Sequence, residues 1–418
     1  KIYLNSNKTT RIMHAKTLLF TLSLSLLLSS CTVGRFFLWN FANIDDYEKF
    51  QNRPVDNDEA SIHQFAIADL DTFALPSLRK KKKKYKWEEG LDKTRTVAFL
   101  VMRNDTILYE YYTNGYEQYT PVNSFSMAKS YISTLIGIAK DEDLIKDLDA
   151  PVTDYLPNLP SDLKKVTLRN LLEMRTGLDY NESYASPFSD AAVYYYGRKL
   201  EKQYQKLKLA SEPDSYFQYR SVNTQLLAEV VEEVYQKPLN EILQEKIWKP
   251  LGSEQAASWS VDNKKDQTFK AFCCLNAVAR DFARLGLLFM NEGSWYGDQI
   301  VSKEWVKEAT TFSEPRNYFR YTYQWWQHPV YRNYSDTLDL PSVYERFEST
   351  NKAGETIERV RYPGDSYSAR GHLGQYIYVN PTERIVIVRL GKNYGKPSPG
   401  WRNYMDWIAR ENGVNRSY

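Results

Sequence analysis

A serine and a lysine three residues apart, Ser126 and Lys129 in the run Ser124-Phe125-Ser126-Met127-Ala128-Lys129-Ser130, have the types and spacing of a nucleophile and its proton acceptor. On a helix, residues three apart lie one above the other, so a hydroxyl and an amine so placed can share a proton. The first N–H groups of a helix have no intrahelical partner and sit at the positive end of its dipole. A serine in the opening turn therefore has a backbone donor in reach of any oxyanion formed on the carbonyl it attacks. Ile132, Leu135, Ile136 and Ala139 follow at helical spacing and predict a buried face beneath the pair. Two such common residue types also fall three apart by chance, so the motif needs partners elsewhere in the chain.

The elements that must position the pair read as follows. Val97–Met102 is an apolar strand, Asn104-Asp105 a turn, and Ile107–Tyr112 its antiparallel return. Thr167 caps a helix that Gly177 ends. Val222–Tyr235 is amphipathic, with Leu226, Leu227, Val230, Val231 and Val234 on one face, and residues 277–291 form a further helix. Gln375–Val379 and Ile385–Leu390 make a hairpin, followed by a helix over Trp401–Arg410. Residues 178–218 and 314–366 are aromatic and irregular. Strands at both ends of the chain and helices between them predict an α/β (α+β) fold: an antiparallel sheet flanked by helices, with an inserted, mainly helical region.

Of 418 residues, 33 are Tyr and 10 are Trp, a composition for a packed core rather than a disordered chain. The formal charge of +3 is concentrated in residues 1–30, which hold Lys1, Lys8, Arg11 and Lys16 and no acid. The remainder carries 51 basic against 52 acidic side chains and gives no reason to expect nucleic acid. Residues 1–30 read as a signal peptide, with 1–12 expected to lie upstream of the true start at Met13. Thr17–Leu28 spans about 18 Å as a helix, too short for a bilayer core of roughly 30 Å. Leu28-Ser29-Ser30-Cys31 resembles the lipobox of bacterial lipoproteins, which implies lipidation of Cys31 and a cell-envelope location. Residues 31–94 are then a tether and lead-in, and 95–418 the folded domain. The basic run Arg79–Lys84 reads as a solvated loop, with anionic lipid headgroups as the alternative partner. Cys273 and Cys274 read as a buried thiol pair, with a vicinal disulfide as the alternative. Four His and no metal-ligand spacing give no metal site, and no cofactor is expected.

Two more stretches supply the missing partners: Tyr216-Phe217-Gln218-Tyr219-Arg220-Ser221 at the mouth of the amphipathic helix, and Gly371-His372-Leu373-Gly374-Gln375 before the hairpin. With Ser126-x-x-Lys129, their order and separations resemble the serine β-lactamase and penicillin-recognising family. The likeness covers about residues 95–410 and is nearest to the class C branch, its related esterases and the 6-aminohexanoate-dimer hydrolases. It implies a β-lactamase/transpeptidase-like fold and a serine hydrolase working through an acyl-enzyme. It maps the nucleophile to Ser126 and its proton partner to Lys129. Tyr219 maps to the general base and leaving-group acid, with the Lys129 ammonium lowering its pKa. The oxyanion donors become the N–H groups of Ser126 and Gln375. Ser221 stands where class C enzymes have Asn, and either meets substrate or caps its helix. His372 stands where β-lactamases have Lys, beside Gly374. Neutral imidazole offers a substrate carboxylate little charge, so uncharged esters or amides are favoured over β-lactams. Tyr180 and Tyr184 are candidate pocket walls. The expected partner is a small ester or amide, with a cell-wall fragment as one source and a membrane reached through Cys31. The alternatives are a D-Ala-D-Ala carboxypeptidase or weak β-lactamase and, from another class, a non-catalytic envelope binding protein.

Overall fold

The apolar run Thr96–Arg103 forms an interior strand of an eight-stranded sheet in the computed structural model, which describes residues 32–39, 41–68, 73–311, 321–334, 344–351 and 353–414. Cys31 and the apolar leader lie outside those residues. In chain order the strands are β1 (Ala66–Ile67), β2 (Thr96–Arg103), β3 (Thr106–Tyr112), β4 (Tyr321–Thr322), β5 (Trp325–Gln327), β6 (Tyr367–Gly371), β7 (Gln375–Asn380) and β8 (Ile385–Gly391). Their spatial order is β4-β5-β6-β7-β8-β2-β3-β1. All pairs are antiparallel except β1, which joins β3 in parallel at the edge. The expected antiparallel sheet is therefore a mixed one.

Strand β2 alternates between two cores. Phe99 and Val101 face a cluster with Trp401, Met405 and Ile408 of the C-terminal helix Trp401–Asn412. Ala98, Leu100 and Met102 face the larger core with Phe282 and Leu285 of the helix Ala279–Met290. Burial on both faces explains the continuous apolar run, since no position is left for a solvated side chain. The helical half stands on the second core, built on α2 (Ala128–Asp141) and α4 (Ser221–Tyr235), with α1 (Thr32–Leu38) and α3 (Asp190–Tyr196) at its margin. Thr167 caps Leu168–Leu172 in a reciprocal pair with Asn170.

Three stretches differ from the sequence reading. The tether is built into the body: α1 packs on α3, and Gln51–Val55 pairs with Ala257–Val261. The basic run is a hairpin, Leu78–Lys80 against Lys83–Tyr85, with Lys81 in the left-handed region. The second aromatic insertion contributes β4 and β5, plus a separate sheet of Val330–Asn333, Thr356–Tyr362 and Glu345–Thr350. Among the described residues no helix is long and apolar enough to cross a membrane.

Candidate active site

The nucleophile turn is held from both sides. Val122–Asn123 pairs with Asn276 and Ala277, the Ser124 N–H donates to the Leu275 carbonyl at 2.8 Å, and Asn123 Oδ1 accepts the Phe125 N–H at 2.8 Å. Phe125 itself is forced to φ +45°, an uncommon conformation for a bulky residue. One 3-10 turn, Phe125–Met127, then leads into α2 and leaves Ser126 half-buried. One turn on, Lys129 Nζ lies 3.1 Å from Ser126 Oγ. The same nitrogen reaches Ser221 Oγ at 3.2 Å and the Phe272 carbonyl at 2.7 Å. Burial lowers the Lys129 pKa to about 7, with the Glu182 charge opposing it. At that value a large share of the amine is neutral near pH 7 and able to take a proton from Ser126.

Tyr219 lies on an extended stretch anchored to Met174, whose carbonyl accepts the Gln218 N–H at 2.8 Å. Its ring stacks on Trp326 at 5.6 Å and meets Tyr321 edge-on at 5.7 Å. The Lys129 ammonium is 5.4 Å from the ring centroid, and the Ser126 side chain is close enough to act on the phenol. The pKa runs against the expectation: burial first, and then the Glu182 charge, push the phenol up, while the Ser126 side chain acts in the other direction. The phenol is therefore neutral at ordinary pH, and of the two groups the lysine is the one poised as a base.

Glu182 gave no signal in the sequence, where it sits in a Tyr-rich run without periodicity. Its loop closes on itself, because the Asn181 N–H donates to Asp190 Oδ2 at 2.8 Å and the Ala191 N–H to the Asn181 carbonyl at 3.1 Å. The Glu182 carboxylate accepts the Ser221 N–H at 2.7 Å, the Ser221 hydroxyl at 2.5 Å and the Tyr184 hydroxyl. Ser221 is thus the first residue of α4 rather than its cap, and the acid supplies the negative charge at that helix N-terminus. Lys129, Ser221 and Glu182 form one hydrogen-bonded line.

The third motif meets this line from the sheet. A Cβ on Gly371 would stand 2.3 Å from the Ser124 carbonyl, so glycine is what lets β6 press against the nucleophile turn. His372 packs edge-on to Phe125 at 5.4 Å, lies 5.1 Å from Tyr184, and pairs Nδ1 with the Tyr394 hydroxyl at 2.9 Å. Burial lowers its pKa to about 4, so the ring is neutral. Gln375 opens β7, with its side chain locked between the His372 carbonyl at 3.1 Å and Gly391, whose carbonyl is at 2.7 Å. Gly374 holds a buried cation in place. At φ +83° its carbonyl accepts from the buried Arg389 at 2.6 Å, and a Cβ there would meet the same guanidinium.

A cavity of about 330 Å³ opens beside Ser126. His372, Tyr184 and Ser221 share its wall with Phe125, Tyr195 and Cys273. Tyr180 stands behind that wall, packed edge-on to Tyr194 at 5.5 Å, and is not a lining residue. Cys273 and Cys274 are joined by a disulfide instead of forming a thiol pair. The bridge follows Phe272, so it borders the carbonyl that holds Lys129. Among the described residues no group of three or more His, Cys, Asp or Glu is placed to hold a metal ion.

The chain belongs to the beta-lactamase family, whose model matches residues 86–399. The 6-aminohexanoate-dimer hydrolase of Paenarthrobacter ureafaciens is 31% identical over 318 residues, 69% of this chain and 76% of that protein. A Bacillus anthracis structure provisionally named a 6-aminohexanoate-dimer hydrolase superposes with a TM-score of 0.70 at 25% identity, over 90% of this chain and 94% of the other. A family VIII carboxylesterase has the same fold, with a TM-score of 0.51 at 16% identity over 73% and 91% of the two chains. The fold is β-lactamase/transpeptidase-like, and the protein is a hydrolase of the serine hydrolase superfamily that shares it.

Proposed function

We propose that the protein hydrolyses uncharged esters or amides through an acyl-enzyme on Ser126. The observation that carries this is the half-exposed Ser126 hydroxyl 3.1 Å from a buried Lys129 amine whose pKa is brought to about 7. Neutral Lys129 accepts the Ser126 proton as Oγ adds to the carbonyl carbon. The Ser126 and Gln375 N–H groups are assigned to the oxyanion; loss of one such donor typically costs about 2.7–4 kcal/mol of transition-state stabilisation. The neutral Tyr219 phenol delivers a proton to the departing alcohol or amine and recovers it from Lys129, whose nitrogen lies 5.4 Å from the ring centroid. Water then enters, and the same groups release the acid. A neutral His372, and a Glu182 carboxylate bonded to the Ser221 that lines the cavity, favour substrates without a carboxylate at this end. Ser126→Ala is expected to lose both p-nitrophenyl acetate turnover and covalent labelling by a fluorophosphonate; turnover at the wild-type rate refutes the assignment.

The leader supports a second part of the proposal, that Cys31 is acylated and holds the domain at the cell envelope. Cell fractionation tests it: the full chain partitions with membranes, and Cys31→Ser releases it. A variant that stays in the membrane fraction overturns the anchor.

A further inference from the structure

We infer that α1, which lies outside the matched family region, sets together with Phe41 the length of acyl arm the enzyme accepts, with Phe36 as the specificity-determining residue. The inference rests on the acyl-enzyme reading above and specifies its substrate. Two sides of Ser126 differ in kind. Tyr219, stacked on Trp326, is the proposed proton donor to the leaving group, so the leaving group lies on that side. Neither Tyr219 nor Trp326 lines the cavity. The cavity opens on the other side and so receives the acyl arm.

Its walls are almost wholly apolar and form a ladder of rings. Phe125, next to the nucleophile, lies 6.2 Å from Tyr195; Tyr195 is 4.9 Å from Tyr196, and Tyr196 is 5.4 Å from Phe36. Phe36 meets Phe41 at 5.3 Å at the end of that ladder. Phe36 is buried, whereas Phe41 is 55% exposed at the rim. The main-chain side of α1 is fixed by Arg35, whose Nε donates to the Tyr196 carbonyl at 2.6 Å. A straight apolar acyl chain on Ser126 therefore fills the space until it meets the Phe36 ring. A charged arm finds no partner there. One methylene in such a pocket is worth about 10–200-fold in kcat/KM.

The test is kcat/KM for p-nitrophenyl acetate, butyrate, hexanoate and octanoate, each profile expressed relative to its own acetate value. Phe36→Ala is expected to raise the octanoate-to-acetate ratio about tenfold or more, and Phe36→Trp to lower it by a similar factor. Because Phe36 is buried, Phe41→Ala provides a rim variant that leaves the core intact, and it should shift the ratio in the same direction as Phe36→Ala. A parallel series of acetate esters with lengthening alcohols should keep its profile in all three variants. Unmoved acyl profiles in all three, or a shift confined to the alcohol series, overturn the inference. Failure of the acyl-enzyme reading is a different result: Ser126→Ala retaining turnover.

Discussion

Lys129 and Glu182 together determine how the enzyme answers to pH. Burial lowers the Lys129 pKa to about 7, and a lysine below its pKa is a cation that cannot take the Ser126 proton. The active fraction therefore grows as pH rises, and kcat/KM should climb along a single limb centred near pH 7 before levelling off. Glu182 raises the Lys129 pKa, so Glu182→Gln should move that limb to lower pH. His372 contributes nothing to it, since its pKa of about 4 leaves it neutral throughout. A profile flat from pH 6 to 8, or a limb that Glu182→Gln moves upward, contradicts these roles. The nucleophile and lysine were legible because a helix forces residues three apart together. Glu182 was not, because a loop of irregular backbone brings it to Ser221 from 39 residues away. The direction of the Tyr219 shift was also hidden: burial and then the Glu182 charge raise it, and burial depends on Trp326 and Tyr321, more than 100 residues downstream.

At the scale of elements, the site is a junction between the first turn of α2 and the end of β6. That junction depends on a missing side chain. Gly371→Ala places a methyl carbon 2.3 Å from the Ser124 carbonyl, and backbone cannot swing away as a flexible side chain does. The expected result is a folded protein with kcat lowered about 100-fold, since misplacement by about 1 Å costs that much. An unchanged kcat, with a crystal structure showing the turn undisplaced, refutes the role. The apolar patterns of α4, the helix Ala279–Met290 and the β7–β8 hairpin made them readable, because each is long and mostly buried. The helices Asp190–Tyr196 and Glu201–Tyr204 span two turns or fewer, too short for a periodic pattern to stand out. The strands Glu345–Thr350 and Thr356–Tyr362 sit off the main core, so charged residues interrupt what would have been an apolar run. Gln51–Val55 carries a proline and mostly solvated positions, and only its partner strand, some 200 residues later, makes it a strand.

Across the whole molecule, the two cores share one sheet, in which β2 pairs with β8 along seven residues. Phe99 and Val101 are covered by Ile387 and by Trp401, Met405 and Ile408, which follow them by roughly 300 residues. Closing that distance in sequence is the slow part of folding such a topology. While the ribosome is still at work, then, the emerging N-terminal half has an apolar strand with no lid and no neighbour on one edge. A product terminated after residue 370 should show no cooperative melt and should bind hydrophobic dyes, whereas a sharp transition in it would mean that the early half settles alone. The stretch from residue 371 to the C-terminal helix thus acts as a latch: one edge of β2 stays open until β8 has been made to close it.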